Sequence, residues 1–326
     1  MSSDPSTEGG VAYLVLAHHR PQQVACLARR ILELSPRATV LIHWDGDSDG
    51  VLPPDGLPAR ASVLPTRVEC RWGTWSLVEA SLALLAEARA GGAAWSVLIS
   101  GEDWPVVDLA RWEAQLQQQP FDAILEARPL HDRWAAGERS VPVSEDEVRR
   151  YGRRWSVLPV SDSRRRDRLR QGLVRRLERR STSRRGPAVM DFYARGVAVS
   201  WRSADGLPPG WKPFKGHQWV TVNARAVDAL LSAPDSVTRH FRQTLIPDEG
   251  FVPTVLSNTP HLRVRRGLTS YAPWSHFGRT PHLVLQQEDL REIEASEAPF
   301  ARKVGAGEHA GITAQLDVLS SRAWDA

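Results

Sequence analysis

The sequence Ile246-Pro247-Asp248-Glu249-Gly250-Phe251 carries the residues best suited to chemistry: two adjacent carboxylates between a proline and an apolar run. Asp248 can cap a helix start, which places Glu249 in its first turn. The positive end of the helix dipole keeps a carboxylate there ionised, and an ionised, fixed carboxylate is what a general base requires. On these six residues alone, an ordinary cap followed by a solvated acid is the simpler reading. Pro253 opens a second possibility, because a proline inside a helix costs a hydrogen bond. The helix then begins at Pro253 and the acids sit on a preceding turn.

Other polar groups stand where apolar runs end. Val11 to Ala17 is a continuous apolar run, fit for a buried parallel strand, and it leads into His18-His19-Arg20-Pro21. Val24, Leu27, Ile31 and Leu34 then recur at helical spacing. Thr39 to Asp45 predicts a second strand and Ala61 to Leu64 a short third. Ser76 to Ala90 predicts a helix, with Ser76 and Glu79 at capping-box spacing. Trp95 to Ser100 is the next strand, followed by Gly101-Glu102-Asp103-Trp104-Pro105. Asp108 to Gln119 predicts a helix and Phe121 to Ala127 a strand. Strand and helix alternate, which implies an α/β fold with a mostly parallel sheet and helices on both faces. Such sheets bind ligands outside the carboxyl ends of their strands. Here those ends carry Ala17, His18, His19, Asp45, Ser100 to Asp103, and Glu126. No Gly-x-Gly-x-x-Gly follows the first strand and no P-loop sequence is present, so scattered loop residues must hold the ligand.

Beyond residue 149 the rhythm changes. Arg149 to Arg185 is strongly basic, and Leu169, Leu173, Val174 and Leu177 give it one apolar stripe. A solvated helix face is the simpler reading; contact with an anionic acceptor, a nucleic acid or a membrane surface is the alternative. The stretch lacks the aromatic interleaving that stacks single strands. Gly216 to Val222 and His261 to Arg266 return to strand patterns. Ala224 to Ser232, Ser236 to Thr244 and Leu283 to Glu294 look helical, and Tyr271 to Arg279 is an aromatic loop.

Composition is that of a globular protein: 326 residues, 42% hydrophobic, 25% charged, net charge +4. Thirteen tryptophans offer flat faces for sugars or nucleobases, though tryptophan also fills cores. Two cysteines, Cys26 and Cys70, make no disulfide framework. The first ten residues lack a basic n-region, and Val11 to Ala17 is too short to span a membrane. A soluble, reducing, cytoplasmic setting is the expectation. One domain is expected over 11–326 after a tail at 1–10. Its nucleotide-binding half covers about 11–128, an Arg-rich insertion about 149–185, and the acceptor and catalytic half about 190–305.

Seven pieces, in order, resemble the core-2/I-branching β-1,6-N-acetylglucosaminyltransferases and their xylosyltransferase relatives. They are Ala17-His18-His19, Ile42-His43-Trp44-Asp45, Trp72-Gly73-Thr74-Trp75-Ser76-Leu77-Val78-Glu79-Ala80, Ser100-Gly101-Glu102-Asp103-Trp104-Pro105, Lys215-Gly216-His217-Gln218-Trp219, Pro247-Asp248-Glu249 and Phe300-Ala301-Arg302-Lys303. The resemblance implies a GT-A-like nucleotide-diphospho-sugar transferase fold and inverting transfer of a sugar, GlcNAc in the nearest reading, from a UDP-sugar. It puts the catalytic base on Glu249. It gives Ala17, His18, His19, Asp45 and Trp72 as nucleotide-sugar contacts, and Arg279 and Lys303 as cations for the leaving diphosphate; Asp103, beside Trp104-Pro105, reads as a structural turn residue, with a nucleotide-sugar contact as the alternative. Glu126, Trp219, Asp248 and Trp274 are the acceptor-side expectations.

Asp45-Gly46-Asp47 spells a metal-binding Asp-x-Asp but aligns with the family's uridine contacts. The resemblance implies transfer without metal, with Arg279 and Lys303 as fixed cations, so no metal and no other cofactor is expected. Against the Golgi members, no membrane anchor is expected and their cysteine framework is missing, which points to a small-molecule or glycan acceptor; no nucleic-acid partner and no membrane span are expected. Transfer of xylose or another sugar is the alternative within the class. Outside it stands a non-catalytic protein that grips an anionic polymer through its Arg-rich middle.

Overall fold

A computed structural model describes residues 9–45, 56–130, 145–159, 189–193, 196–273, 284–305 and 311–321. Its centre is a seven-stranded sheet. The strands are β1 (Val11–Ala17), β2 (Thr39–Trp44), β3 (Ala61–Val63), β4 (Trp95–Ser100), β6 (Ala123–Leu125), β12 (Thr221–Asn223) and β13 (Val264–Arg266), in the spatial order β13-β6-β12-β4-β1-β2-β3. β1 pairs in parallel with both β2 and β4, β2 with β3, and β13 with β6. Only β12 runs against its neighbours β4 and β6. The expected α/β class with a mostly parallel sheet is thus the observed one.

Side chains of β1 alternate between two cores, as the pleat requires. Tyr13 and Val15 pack with Val24, Leu27 and Ile31 of helix α1 (Pro21–Leu34), while Ala12 and Leu14 pack with Val78, Leu84 and Leu85 of α2 (Ser76–Ala90). α3 (Leu109–Gln117) adds to the first face, capped by Asp108, which accepts from Arg111 N at 3.1 Å. α5 (Ala224–Leu231), α6 (Asp235–Phe241) and α7 (Phe251–Asn258) cover the second.

Three small sheets surround the main one. β5 (Asp103–Pro105) pairs with β15 (Phe300–Arg302), which pairs with β14 (Ser270–Tyr271). β7 (Arg128–Pro129) pairs with β11 (Phe214–Lys215), and the short helix α4 (Glu145–Gly152) follows β7 in the chain. β8 (Arg153–Pro159), β10 (Gly196–Ser203) and β9 (Val189–Tyr193) form the third.

Several local expectations need correction. Ser76 and Glu79 form no capping box. Trp75 is the N-cap residue and no side chain caps α2. The Ser76 hydroxyl instead accepts from Arg71 N at 2.8 Å, and Glu79 pairs with Arg242 at 3.1 Å. Gly216 to Val222 is not one strand, since only Thr221–Asn223 joins the sheet there. Within the helix expected over Leu283 to Glu294, the described residues form a 3-10 turn (Gln287–Asp289) and then α8 (Leu290–Ala295). Tyr271 is no free loop aromatic: it is buried, and its hydroxyl donates to Glu292 at 2.8 Å.

Among the described residues no helix is long and apolar enough to cross a membrane. The Arg-rich stretch beyond Pro159 lies outside them.

Candidate active site

The carboxyl ends of β1 and β4 point the chain in opposite directions across the sheet, and that switch point opens a crevice. Gly101 follows β4 directly. A Cβ there would meet Val24 Cγ2 at 2.8 Å and Ala17 Cβ at 3.0 Å, so glycine lets the two strand ends close up. A cleft of about 310 Å³ begins at this point. Nine of the expected residues line it: Ala17, His18, His19, Asp45, Trp72, Trp219, Asp248, Glu249 and Lys303. Trp274 and Arg279 lie outside the described residues.

The acidic turn is a 3-10 helix, Pro247–Glu249, followed by α7. Gly250, not Asp248, is the N-cap of α7. Pro253 sits at its third residue, within the first turn, where a missing N–H leaves no bond unmade. The acids therefore stand on a turn of their own ahead of the helix. Packing from beneath fixes it. Gly250 lies over Tyr151 and Phe241, and Phe251 is fully buried against Trp75 and Phe241. Burying each such phenylalanine contributes about 1.5–3 kcal/mol. Ile246, just before the turn, has φ of 54°, which is rare for a β-branched residue. Three contacts hold it there. Its N–H donates to Gly73 O at 3.0 Å, its carbonyl accepts from Tyr151 Oη at 3.3 Å, and its side chain packs on Ala198 and Leu245. Strain of this kind collects at functional sites. The Gly73 bond also ties the loop bearing Trp72, which is 47% exposed, to the acidic turn.

Lys215 to Trp219 runs alongside. Gly216 N donates to Glu249 O at 2.8 Å. A Cβ on Gly216 would come within 1.8 Å of Glu126 O, so no other residue fits there. His217 Nε2 pairs with Glu126 at 2.8 Å. The His217 hydrogen bond holds the Glu126 carboxyl below the usual range, against the pull of burial. Glu126 does not line the cleft itself but touches it through His217.

Also in the cleft lining, Lys303 Nζ lies 2.9 Å from Glu102 Oε2. Glu102 also faces His19 Nε2 at 3.4 Å and Arg20 Nη1 at 3.7 Å. Burial raises the Glu102 carboxyl, but Lys303, His19 and Arg302 together outweigh it and hold it below its ordinary value. Arg302 stacks on the Trp219 ring, 4.2 Å from the centroid, and joins the cleft lining.

Asp103 does not take the place of a nucleotide-sugar contact. It is fully buried and lines no part of the cleft. Its carboxylate accepts from Ser100 N at 2.7 Å, from Ser100 Oγ at 2.5 Å and from Ser270 Oγ, and it lies opposite Arg302 in the β5–β15 ladder. It braces the wall that carries Arg302 and Lys303. His43 and Asp45 likewise tie down the loop after β3. His43 Nε2 accepts from Val68 N at 3.0 Å, and burial lowers the imidazole so that it stays neutral. Asp45 Oδ2 accepts from Cys70 N at 3.1 Å. The Cys70 thiol is pushed up to about 12 by burial and by Asp45 and Glu79, so it is inert. Among the described residues no cluster of three His, Cys, Asp or Glu is placed to hold a metal ion. Asp47 lies outside them.

Sequence reasoning left Glu102, His217, Arg302 and Lys215 without roles, although all four stand inside the quoted motifs. Their signal is charge placed next to charge across non-adjacent strands, which one chain read in order does not display.

Asp248 is the buried member of the acid pair, and its Oδ1 has no hydrogen-bond partner among the described residues. Burial, with the Glu249 charge beside it, pushes its carboxyl from 3.8 to about 7. The folded protein therefore keeps a proton that the unfolded chain gives up at lower pH. Stability from this group is whole below about pH 4 and is lost as pH rises to about 7, by roughly 4 kcal/mol at most. Asp248→Asn cannot ionise. The gap in denaturant midpoint between this variant and the wild type is expected to widen in the variant's favour over that window and stay level above it. A gap independent of pH would refute the assignment.

An acid and cation-lined crevice at the switch point of an α/β sheet is the place where such sheets bind ligands. The model of the family described as Core-2/I-Branching enzyme matches residues 174–294. That segment holds the Lys215–Trp219 and Pro247–Glu249 pieces, and the match supports the family resemblance and, with it, a glycosyltransferase in the general sense. Among solved structures, the chain is similar to a Bacillus anthracis protein assigned as a glucose-1-phosphate thymidylyltransferase, in complex with sucrose. The identity is 10%, with 93% of this chain and 99% of that one covered and a TM-score of 0.35. No curated protein matches the sequence.

Proposed function

We infer that the protein is an inverting glycosyltransferase of GT-A-like fold. In this reading it moves a sugar, GlcNAc by the family resemblance, from a UDP-sugar to an acceptor hydroxyl. The observation that carries the reading is that Glu249 and Lys303 line one cleft. Glu249 takes the proton of the acceptor hydroxyl as its oxygen bonds to the anomeric carbon. The bond from that carbon to the diphosphate oxygen breaks on the opposite face, and the negative charge gained by UDP falls to Lys303. The resemblance adds Arg279 as a second cation, and Arg302 supports the same wall. Fixed cations supply what a metal would otherwise supply, so turnover is proposed to be metal-independent.

Trp72, exposed beside His18, His19 and Asp45, offers a face to the nucleotide sugar. Trp219, Asp248 and Glu126, the last through His217, stand on the acceptor side with Trp274. A small-molecule or glycan acceptor in the cytoplasm completes the proposal.

Incubation with a panel of UDP-sugars tests it. Slow donor hydrolysis, or transfer to added alcohols, is expected with UDP-GlcNAc or UDP-xylose, and is expected to persist in EDTA. Absence of UDP binding by calorimetry would reject the function. Complete loss of turnover in EDTA would reject the metal-free mechanism alone.

A further inference from the structure

Glu249 is one end of a row of charges. Its Oε2 lies 3.3 Å from Lys215 Nζ, and the same ammonium lies 3.1 Å from Glu147 Oε1. Glu147 Oε1 accepts in turn from Arg128 Nη2 at 2.6 Å. Signs alternate along Arg128, Glu147, Lys215 and Glu249. Side-chain exposure rises from 12% and 13% at the first two to 22% and 30% at the last two, so the row runs from the interior to the cleft. Pairs at that depth are screened less than surface pairs.

Three elements build the row. Lys215 and Arg128 face each other directly in the β11–β7 ladder. Like charges so placed repel; Glu147 from α4 pairs with both, and the Glu126 charge also acts on both. α4 makes a second attachment to the same turn, because its Tyr151 hydroxyl donates to Ile246 O. The backbone of the next residue, Gly216, holds the Glu249 carbonyl.

We propose that Lys215 is a positioning residue for the base, and that Glu147 divides its charge, so that the seating of α4 sets the geometry of Glu249. The inference rests on Glu249 being the base. Lys215 engages one carboxylate oxygen and orients the other, Oε1, toward the acceptor. Glu147 keeps the ammonium from turning wholly to Glu249 and competing with the acceptor hydroxyl for its lone pairs. Among the described residues, Asp248 on the same turn acts on Glu249, Glu126, paired with His217, acts on Arg128 and Lys215, and Tyr151 and Arg150 of α4 also lie in reach of these acids.

The test uses hydrolysis of UDP-GlcNAc and UDP-xylose by the full chain. Lys215→Met is expected to lower kcat by about 10- to 100-fold, the scale of a misplaced catalytic group, with KM for the sugar nucleotide and UDP affinity unchanged. Lys215→Arg is expected to recover much of the loss. Glu147→Gln, at a residue that does not line the cleft, is expected to lower kcat several-fold in the same pattern. Unchanged kcat in Lys215→Met or Glu147→Gln, or a loss confined to KM, would overturn the proposal while leaving the glycosyltransferase reading intact.

A second readout needs no turnover. The Tm shifts of Lys215→Met and Glu249→Gln, alone and combined, are expected to be non-additive because the two side chains share a contact. Additive shifts would overturn the row even if no donor is hydrolysed.

Discussion

Glu249→Gln is expected to lower turnover by on the order of 10²- to 10⁴-fold, the range a positioned general base supplies. The glutamine has the same shape and keeps the Gly216 N to residue 249 O bond, which uses only backbone. The turn stays seated on Phe251 and Tyr151. What disappears is a lone pair basic enough to take a proton. UDP affinity should stay within about twofold, since the change removes an interaction made only in the transition state. Calorimetry with UDP and steady-state hydrolysis of UDP-GlcNAc separate the two quantities. Full activity in the variant would remove Glu249 from the mechanism. Lost UDP affinity would instead place the carboxylate in donor binding.

Asp248 sharpens that expectation, because the neighbouring acids differ in environment. Asp248 is buried and its carboxyl is raised to about 7, whereas Glu249 is open to the cleft and paired with Lys215. What sets Glu249 apart as the base is access: its side chain is 30% exposed and held by Lys215, whereas Asp248 is buried and keeps part of its proton near pH 7. The division of labour between the two acids follows from depth, and sequence alone does not give depth.

That contrast marks the general limit of reading the chain in order. Parallel strands were legible because burial on both faces leaves continuous apolar runs such as Val11 to Ala17 and Trp95 to Ser100. The reversed strand was not: Thr221–Asn223 is three residues long, and local hydrophobicity carries no direction. Asp108 was legible as part of a helix start because its cap is made within three residues. Ser76 misled for the converse reason, since its hydroxyl turns back to Arg71 in the preceding loop. At the site, motif residues that line the cleft could be named from their order. Asp103 was legible as a structural turn residue, but its burial against Ser270 and Arg302, far along the chain, was not. The row ending at Glu249 needs Glu147 and Arg128, which belong to no quoted motif.

Lys303→Met is the second substitution with a large expected effect. Methionine keeps the unbranched stem and removes the charge that receives UDP, so kcat is expected to fall by about 10²- to 10³-fold, as for loss of one transition-state donor. UDP affinity should fall as well, which distinguishes this variant from Glu249→Gln. Part of that loss has a second origin. Lys303 is first among the groups that keep Glu102 ionised against its burial, and Glu102 stands within the same cleft. With the lysine gone, an acid faces the incoming diphosphate without its nearest cation, and repulsion adds to the missing attraction. Adding Glu102→Gln to Lys303→Met should therefore restore UDP affinity in part while leaving kcat low. Lys303→Arg should retain more turnover than Lys303→Met, because a guanidinium also carries a permanent charge. If the double variant binds UDP no better than Lys303→Met, Glu102 does not oppose the diphosphate. If Lys303→Met keeps both binding and turnover, the departing nucleotide is received elsewhere in the cleft.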